Sequence, residues 1–486
     1  MKNFFSILSL SRELRSQMFA LFLVFPFLVF AQTPQIFTLE NYLQQVRTNH
    51  PVIKQADLLE RQAAAVAQTA RGNFDPKIYA DASQKSFDDK NYFTLAQGGL
   101  KIPTWLGTEL KAGYNWTNGD FLDPENSLPE IGQAVLGAKI TLLQGLLIDD
   151  RRAALKQAKI FKAQNENTRR QMVNTIIFDA AKTYWEWSYA FEIFKIKENA
   201  LGFARTRLGA VVTSFEQGDK PAIDTLESTI QVQNRELELN EAQIDFQNSA
   251  LKLSNFLWSE NAVPLEIAGN ARPEFLPREI DIEVPSEVVS VQNNLAQTHP
   301  DLLDYQLKRS QLEIERRLKV EKLKPKLNLE YNFLANGFDF QNGDKLPGNE
   351  TNFNTLFSEN YKWGVEFSMP IFLRQARGNL KLTDLKIEMT DLKLSQKMLE
   401  IKNKIEIYLQ QLQNQRKQLI LSEDMTENYR LLLAAENEKF RIGESSLFLV
   451  NSREQKLIEA ETKLAKLRTD FVKLEVGLRQ VAGVLK

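Results

Sequence analysis

The chain repeats itself. His50-Pro51 is followed by Pro76-Lys77, and His299-Pro300 is followed at the same 26-residue spacing by Pro325-Lys326. Downstream, Phe215-x-x-Gly218 precedes Asp245-Phe246. Phe440-x-x-Gly443 precedes Asp470-Phe471, each member lying 225 positions after its counterpart. Two copies of one unit therefore fill the chain, and the fold must be built twice in the same order: helix, strands, a very long helix, a tight turn and a second long helix. The boundaries this predicts are a first repeat over 32–258, a connection over 259–298 and a second repeat over 299–486.

Helix length is the next constraint. From about 149 to 215 there is no proline, and only Gly202 and Gly209 are weak points. At 1.5 Å per residue such a helix reaches roughly 100 Å, which is stable only with partner helices along its length. The returning helices are expected over 221–258 and 446–485, and the second long helix over 373–440. In the helix over 446–485, Leu457, Ala460, Leu464, Leu467, Phe471, Leu474, Leu478 and Val481 step by three and four, the spacing of a coiled-coil seam. The first copy has the same seam, from Val232 through Leu239, Ala242, Phe246 and Leu253 to Phe256, with Arg235 and Ser249 as polar interruptions. A shorter helix, expected over 300–322, opens the second repeat at a proline, where the missing N–H costs nothing. His50 and His299 precede these prolines and read as structural, because matching repeat positions with no clustered ligands do not make a metal site.

The strands alternate. "KLNLEYNF" puts Leu327, Leu329, Tyr331 and Phe333 on one face, and "YKWGVEFSM" does the same with Tyr361, Trp363, Val365, Phe367 and Met369. The opposite faces carry Lys326, Asn328, Glu330 and Asn332, and Lys362, Glu366 and Ser368. The first repeat holds more such material within 76–144, the second within 325–371. Four strands in the first copy and two in the second are expected, though the extra hairpin could instead be an elaboration outside a barrel. A soluble sheet packed on another sheet and an outer-membrane barrel both fit the alternation. The short "PTWLG" at 103–107 against the long polar "NGDFLDPENSLPEIGQ" fits the barrel habit of short turns on one side and long loops on the other.

Composition excludes several alternatives. A formal net charge of −1 lacks the Lys and Arg excess that neutralises a nucleic-acid backbone, so no nucleic-acid partner is expected. With no cysteine there is no disulfide, thiol nucleophile, Cys-based zinc site or lipidated cysteine. No phosphate-cradling glycine loop, activated nucleophile or metal-ligand spacing is found, so no enzyme and no cofactor are expected. Lys2, Arg12 and Arg15, then the apolar run from Met18 to Phe30 and "VFAQ", read as a signal peptide over 1–31 cleaved after Ala31. The run is shorter than a spanning helix needs, and no later stretch reaches that length.

Leader, duplication, the strand-to-helix crossing "SMPIF" and the turns "FEQGDKPAIDTLES" and "FRIGESSLFLVNSRE" together resemble the TolC-type outer-membrane efflux channels over essentially the whole mature chain. The resemblance implies a homotrimer in the outer membrane. Strands from each protomer would complete one β-barrel, continued by an antiparallel coiled-coil tunnel across the periplasm. It implies a passive exit duct of a tripartite efflux or type I secretion system, fed by an inner-membrane transporter through a periplasmic adaptor. Phe215, Gly218, Phe440 and Gly443 would form the adaptor-docking turns. Asp224 and Glu227, six and nine residues past the first glycine, would form the periplasmic aperture. The second-copy equivalents are Leu449 and Ser452, which leaves an acidic and an apolar constriction both open. Tyr331, Phe333, Tyr361, Trp363 and Phe367 would face lipid. Four strands per protomer would give a barrel of twelve, six a barrel of eighteen. The alternative is a soluble periplasmic coiled-coil adaptor or scaffold, and neither substrate nor partner identity is written in these residues.

Overall fold

A computed structural model of the chain describes residues 35–276, 286–336 and 360–485; the expected leader and its cleavage site lie outside them. The first half runs β1 (Gln35–Phe37), α1 (Leu39–Asn49), α2 (Pro51–Gly72), β2 (Lys77–Phe87), β3 (Lys90–Pro103), β4 (Thr108–Asn118), β5 (Gln133–Thr141), α3 (Asp150–Glu216) and α4 (Ala222–Ser254). The second runs β6 (Ala271–Pro273), α5 (Ser286–Asn293), α6 (Leu295–Thr298), α7 (Pro300–Glu321), β7 (Lys326–Asn336), β8 (Tyr361–Ser368), α8 (Arg374–Arg441) and α9 (Leu447–Val481).

The same local chemistry starts α2 and α7. Each is 22 residues long, begins with proline and is capped by the preceding histidine. His50 Nδ1 accepts from the Val52 amide at 3.2 Å, and His299 Nδ1 from the Asp301 amide at 3.1 Å. The ring takes the place of the Ser, Thr or Asp side chain that usually serves a free first-turn N–H. On its other side His299 Nε2 lies 2.8 Å from the Val481 carbonyl, so the neutral ring with its proton on Nε2 satisfies both partners. Burial holds both histidines below the usual imidazole range.

Helices α3 and α8, of 67 and 68 residues, each reach about 100 Å. Each lies antiparallel against the helix that follows it, α4 and α9 respectively. Buried asparagines fix α3 against its other neighbours. Asn165 Nδ2 donates to the Leu59 carbonyl of α2 at 2.8 Å, Asn167 to that of Pro300 in α7 at 2.7 Å and Asn174 to that of Gln480 in α9 at 2.9 Å. Apolar packing concentrates part-way along. Tyr42 of α1, Ile177, Tyr184 and Trp187 of α3 and Leu253 of α4 form one core cluster; Val288, Leu302, Ile405 and Leu478 form a second. The Tyr184 hydroxyl donates to the Phe37 carbonyl and accepts from the Glu274 amide, tying the small parallel β1–β6 ribbon to the long helix.

The two polar interruptions of the first seam are not surface breaks. Arg235 is 1% exposed and Ser249 is buried. In α9 a second buried row, Glu454, Ile458, Ala465, Thr469 and Val472, runs beside the seam, because the helix packs on α3 as well as α8.

Six strands form one antiparallel sheet in the order β2-β3-β4-β5-β7-β8, four from the first half and two from the second. Its register carries face identity across every strand. Ala112 pairs with Leu136, Leu136 with Phe333 and Phe333 with Tyr361 on one face; Lys111 pairs with Gly137, Gly137 with Asn332 and Asn332 with Lys362 on the other. All connections to helices leave from one end. At the far end β4 and β5 are joined by the long loop 119–132, but β2 and β3 by only Asp88 and Asp89, both at positive φ. The expected division into short turns and long loops therefore fails for this hairpin, whose two acids accept the left-handed conformation a two-residue turn demands.

Candidate functional site: a wet sheet face and a double turn

Two regions are built for contact with something outside the chain. The first is the sheet. Its polar face is concave: Asp81, Gln97, Lys111, Asn115, Glu330 and Lys362, from β2 at one edge to β8 at the other, line one cavity of about 650 Å³. Strands so far apart can share a cavity only if the sheet curls around it.

The opposite face stays greasy and open. Ile78 is 86% exposed, Trp363 61% and Phe367 64%, and Leu136, Tyr361 and Val365 are also exposed. Tyr331 stacks on Tyr361 at 5.7 Å and lies edge-on to Phe333 at 4.7 Å. Among the described residues no second sheet covers this face, so the sandwich reading of the alternation is set aside. A water-soluble protein rarely leaves so large an apolar surface open, whereas a lipid-facing barrel wall must. Among the described residues, too, no helix is long and apolar enough to cross a membrane, and no His, Asp or Glu group could hold a metal.

The second region is the far end of the long helices, where two turns lie side by side with the same hydrogen bonding. The Gly218 amide donates to the Phe215 carbonyl at 3.0 Å and the Asp219 amide to that of Ser214 at 2.9 Å. The Gly443 amide donates to the Phe440 carbonyl at 3.2 Å and the Glu444 amide to that of Lys439 at 2.8 Å. Both glycines have φ of 83°, the left-handed residue that closes a helix in this motif. This geometry accounts for the glycine; the phenylalanine three residues earlier contributes only its backbone carbonyl, which any residue could supply.

The turns touch: Lys220 Nζ of the first sits 4.0 Å from the Phe440 ring of the second. Pro221 caps α4 rather than opening it, and Ser446 caps α9. Ser445 donates to Glu436 at 2.5 Å, and that hydrogen bond, aided by Arg453, holds the Glu436 carboxyl below the usual range.

Asp224 and Glu227 share a face of α4 just past this end, Asp224 half-buried and Glu227 exposed. Glu227 accepts from Asn451 of α9 at 3.4 Å. Asn451 also accepts from Arg207 of α3 at 2.8 Å, and Arg207 pairs with Glu454, which is 2% exposed. Arg235 lies 3.8 Å from the same Glu454, donates to Glu238 at 2.9 Å and to Gln455 at 3.0 Å. Burial alone would raise the Glu238 carboxyl, but hydrogen bonds from Lys197 and Arg235 hold it below the usual range. A continuous polar cluster thus joins α3, α4 and α9. Sequence reasoning passed over it, although an arginine in an apolar seam was a signal that a buried carboxylate must lie opposite.

Comparison with known proteins places this geometry. Residues 291–484 match the family model described as outer membrane efflux protein. A search of curated proteins finds no match. Among solved structures, the Campylobacter jejuni CmeC outer membrane channel is 15% identical with a TM-score of 0.64, covering 92% of this chain and 86% of that one. The Vibrio cholerae outer membrane protein VceC is 14% identical with a TM-score of 0.64 and coverage of 92% and 96%. The open-state Neisseria gonorrhoeae MtrE outer membrane channel is 13% identical with a TM-score of 0.62 and coverage of 92% and 89%. Residues 291–484 thus resemble the outer membrane efflux protein family, and the chain as a whole has the fold of the TolC-type outer-membrane channels.

Proposed function

We propose that the chain is the outer-membrane exit duct of a tripartite efflux or type I secretion system, a conduit and not an enzyme. The observation that carries this is the curled sheet with a wet concave face and an uncovered greasy convex face, running directly into helices of about 100 Å. Among the described residues the sheet's edges at β2 and β8 are unpaired, which lipid cannot satisfy, so the barrel closes through other copies. Strand β8 runs toward the helices and β2 away from them, the antiparallel sense such closure requires. In a homotrimer the six strands of each chain make a barrel of eighteen.

The turns at Gly218 and Gly443 are the adaptor-docking end, with Phe215 and Phe440 as its aromatic contacts. Asp224 and Glu227 ring the periplasmic aperture. Substrate arrives from an inner-membrane pump, and adaptor docking shifts the closed end toward an open one. A soluble adaptor or scaffold is disfavoured by the uncovered apolar face.

Membrane fractionation tests the reading. The duct predicts an outer-membrane protein that runs as an SDS-resistant, heat-modifiable trimer, whereas a monomer in the soluble periplasmic fraction overturns it.

A further inference from the structure

The loop between β4 and β5, residues 119–132, leaves the sheet at the end remote from the helices, yet it does not extend away from the barrel. Glu125, Asn126, Ser127 and Leu128 line the same cavity as the wet face of the sheet. That face is mostly polar, with Tyr79 lying across Gly99 and Gly113 in the same row as Val135 and Leu334, which are cross-strand partners; toward the loop end Leu95, Val135 and Leu334 sit at wet-face positions and line the cavity too. Val135 is 7% exposed and Asn332 is buried, although both face the concavity. Apolar residues of the wrong parity are a defect in a water-filled wall unless something apolar seats on them, and Leu128 is the loop's apolar contribution there.

Both ends of the loop are pinned. The Asp120 and Phe121 amides donate to the Asn91 and Tyr92 carbonyls, each at 3.0 Å, and the Phe121 ring packs on Tyr92 at 4.8 Å. The Tyr114 hydroxyl, from the convex face at the rim, donates to the Ile131 carbonyl, so the loop returns over the rim there and only its middle, 125–128, reaches the wet face; Pro124 and Pro129 with a 3-10 turn over Pro124–Asn126 stiffen that span.

We propose that this loop dips into the lumen with its middle, 125–128, seated by Leu128 on Leu95, Val135 and Leu334, and forms a constriction at the outer end of the barrel. Its charged residues, Asp120, Asp123, Glu125 and Glu130, are all acidic, so the constriction admits cationic solutes in preference to anionic ones. This rests on the duct reading, and it concerns the outer end of the barrel rather than the periplasmic aperture. A barrel of eighteen strands is wide enough to need such narrowing.

The absence of native cysteine makes the test clean. Lys111 lies on the wet face of β4, nearer the helices than the loop. On intact cells, Lys111→Cys in the full chain is exposed from outside to a small methanethiosulfonate or to a polyethylene-glycol maleimide. The small reagent should label it with the loop intact. The polymer should label it only when 121–130 are replaced by a short Gly-Ser link or when Leu128→Asp unseats the loop.

A cationic methanethiosulfonate should react about fivefold faster than an anionic one, and Asp120→Asn, Asp123→Asn, Glu125→Gln and Glu130→Gln together should bring the ratio toward one. Equal polymer labelling with the loop intact, or a charge ratio unmoved by the four isosteric changes, overturns the constriction while leaving the duct standing. Failure of the small reagent to label Lys111→Cys even in the loop-shortened chain overturns the duct reading and the constriction with it.

Discussion

His299 shows how one side chain can be structural and still titrate. Its Nδ1 accepts the Asp301 amide and its Nε2 faces the Val481 carbonyl, an arrangement only the neutral ring satisfies. Its affinity for a proton is lower in the folded chain than in the unfolded one, so the unfolded state takes up more protons as pH falls. The cap's contribution is therefore fully present above the ordinary imidazole value of about 6.5 and is lost as pH drops through the lower folded value. Thermal melts at neutral and mildly acidic pH should show this slope in the native chain. His299→Asn, which keeps a capping oxygen, should flatten the slope, whereas His299→Ala should cost about 1 kcal/mol at neutral pH. At Gly218 and Gly443 the left-handed φ of 83° penalises any side chain by roughly 1–2 kcal/mol. Gly218→Val or Gly443→Val should reduce crosslinking to the adaptor while SDS-resistant trimers persist; undiminished crosslinking would place docking elsewhere.

Among the elements, α4 and α9 are where a seam read from apolar spacing needs correction. Arg235 occupies a seam position because Glu454, Glu238 and Gln455 converge on it. Removing one partner from such a buried pair leaves an uncompensated charge, so Glu454→Ala should destabilise the helical region by about 3–5 kcal/mol. Double replacement of Arg235 and Glu454 by apolar residues should recover part of that loss, as thermal melts followed by circular dichroism would report. In the sequence only Arg235, an arginine in an apolar seam, signalled this cluster; its partner Glu454 lies 219 positions away and was not legible. By contrast the six strands, the long helices and both turns were legible, because each rests on local periodicity or on a glycine that only one conformation explains. The pinned loop 119–132 was visible only as a polar connection, since its inward fold depends on apolar residues of β3, β5 and β7 that read as lapses in the alternation.

For the molecule as a whole, what matters is which side of the sheet meets water. In β5, β7 and β8 the pairing register carries the polar positions to the concave side and the large aromatics to the convex side. In the proposed trimer, Asp224→Asn with Glu227→Gln should change the single-channel conductance and weaken the cation preference in planar bilayers. Unchanged conductance would move the constriction away from α4. Glu227 is tied to Asn451 of α9, so its replacement should also loosen the turn end, seen as faster hydrogen exchange over 444–452.

The most direct measurement is a cysteine scan of β8 in the intact outer membrane, possible without background because the chain has no cysteine of its own. With a wet lumen inside and lipid outside, single cysteines at Lys362, Gly364 and Glu366 should react with a water-soluble maleimide. Those at Tyr361, Trp363 and Val365 should react only with a lipid-soluble one. Uniform aqueous labelling along the strand, or the opposite alternation, would contradict a pore lined by the polar face.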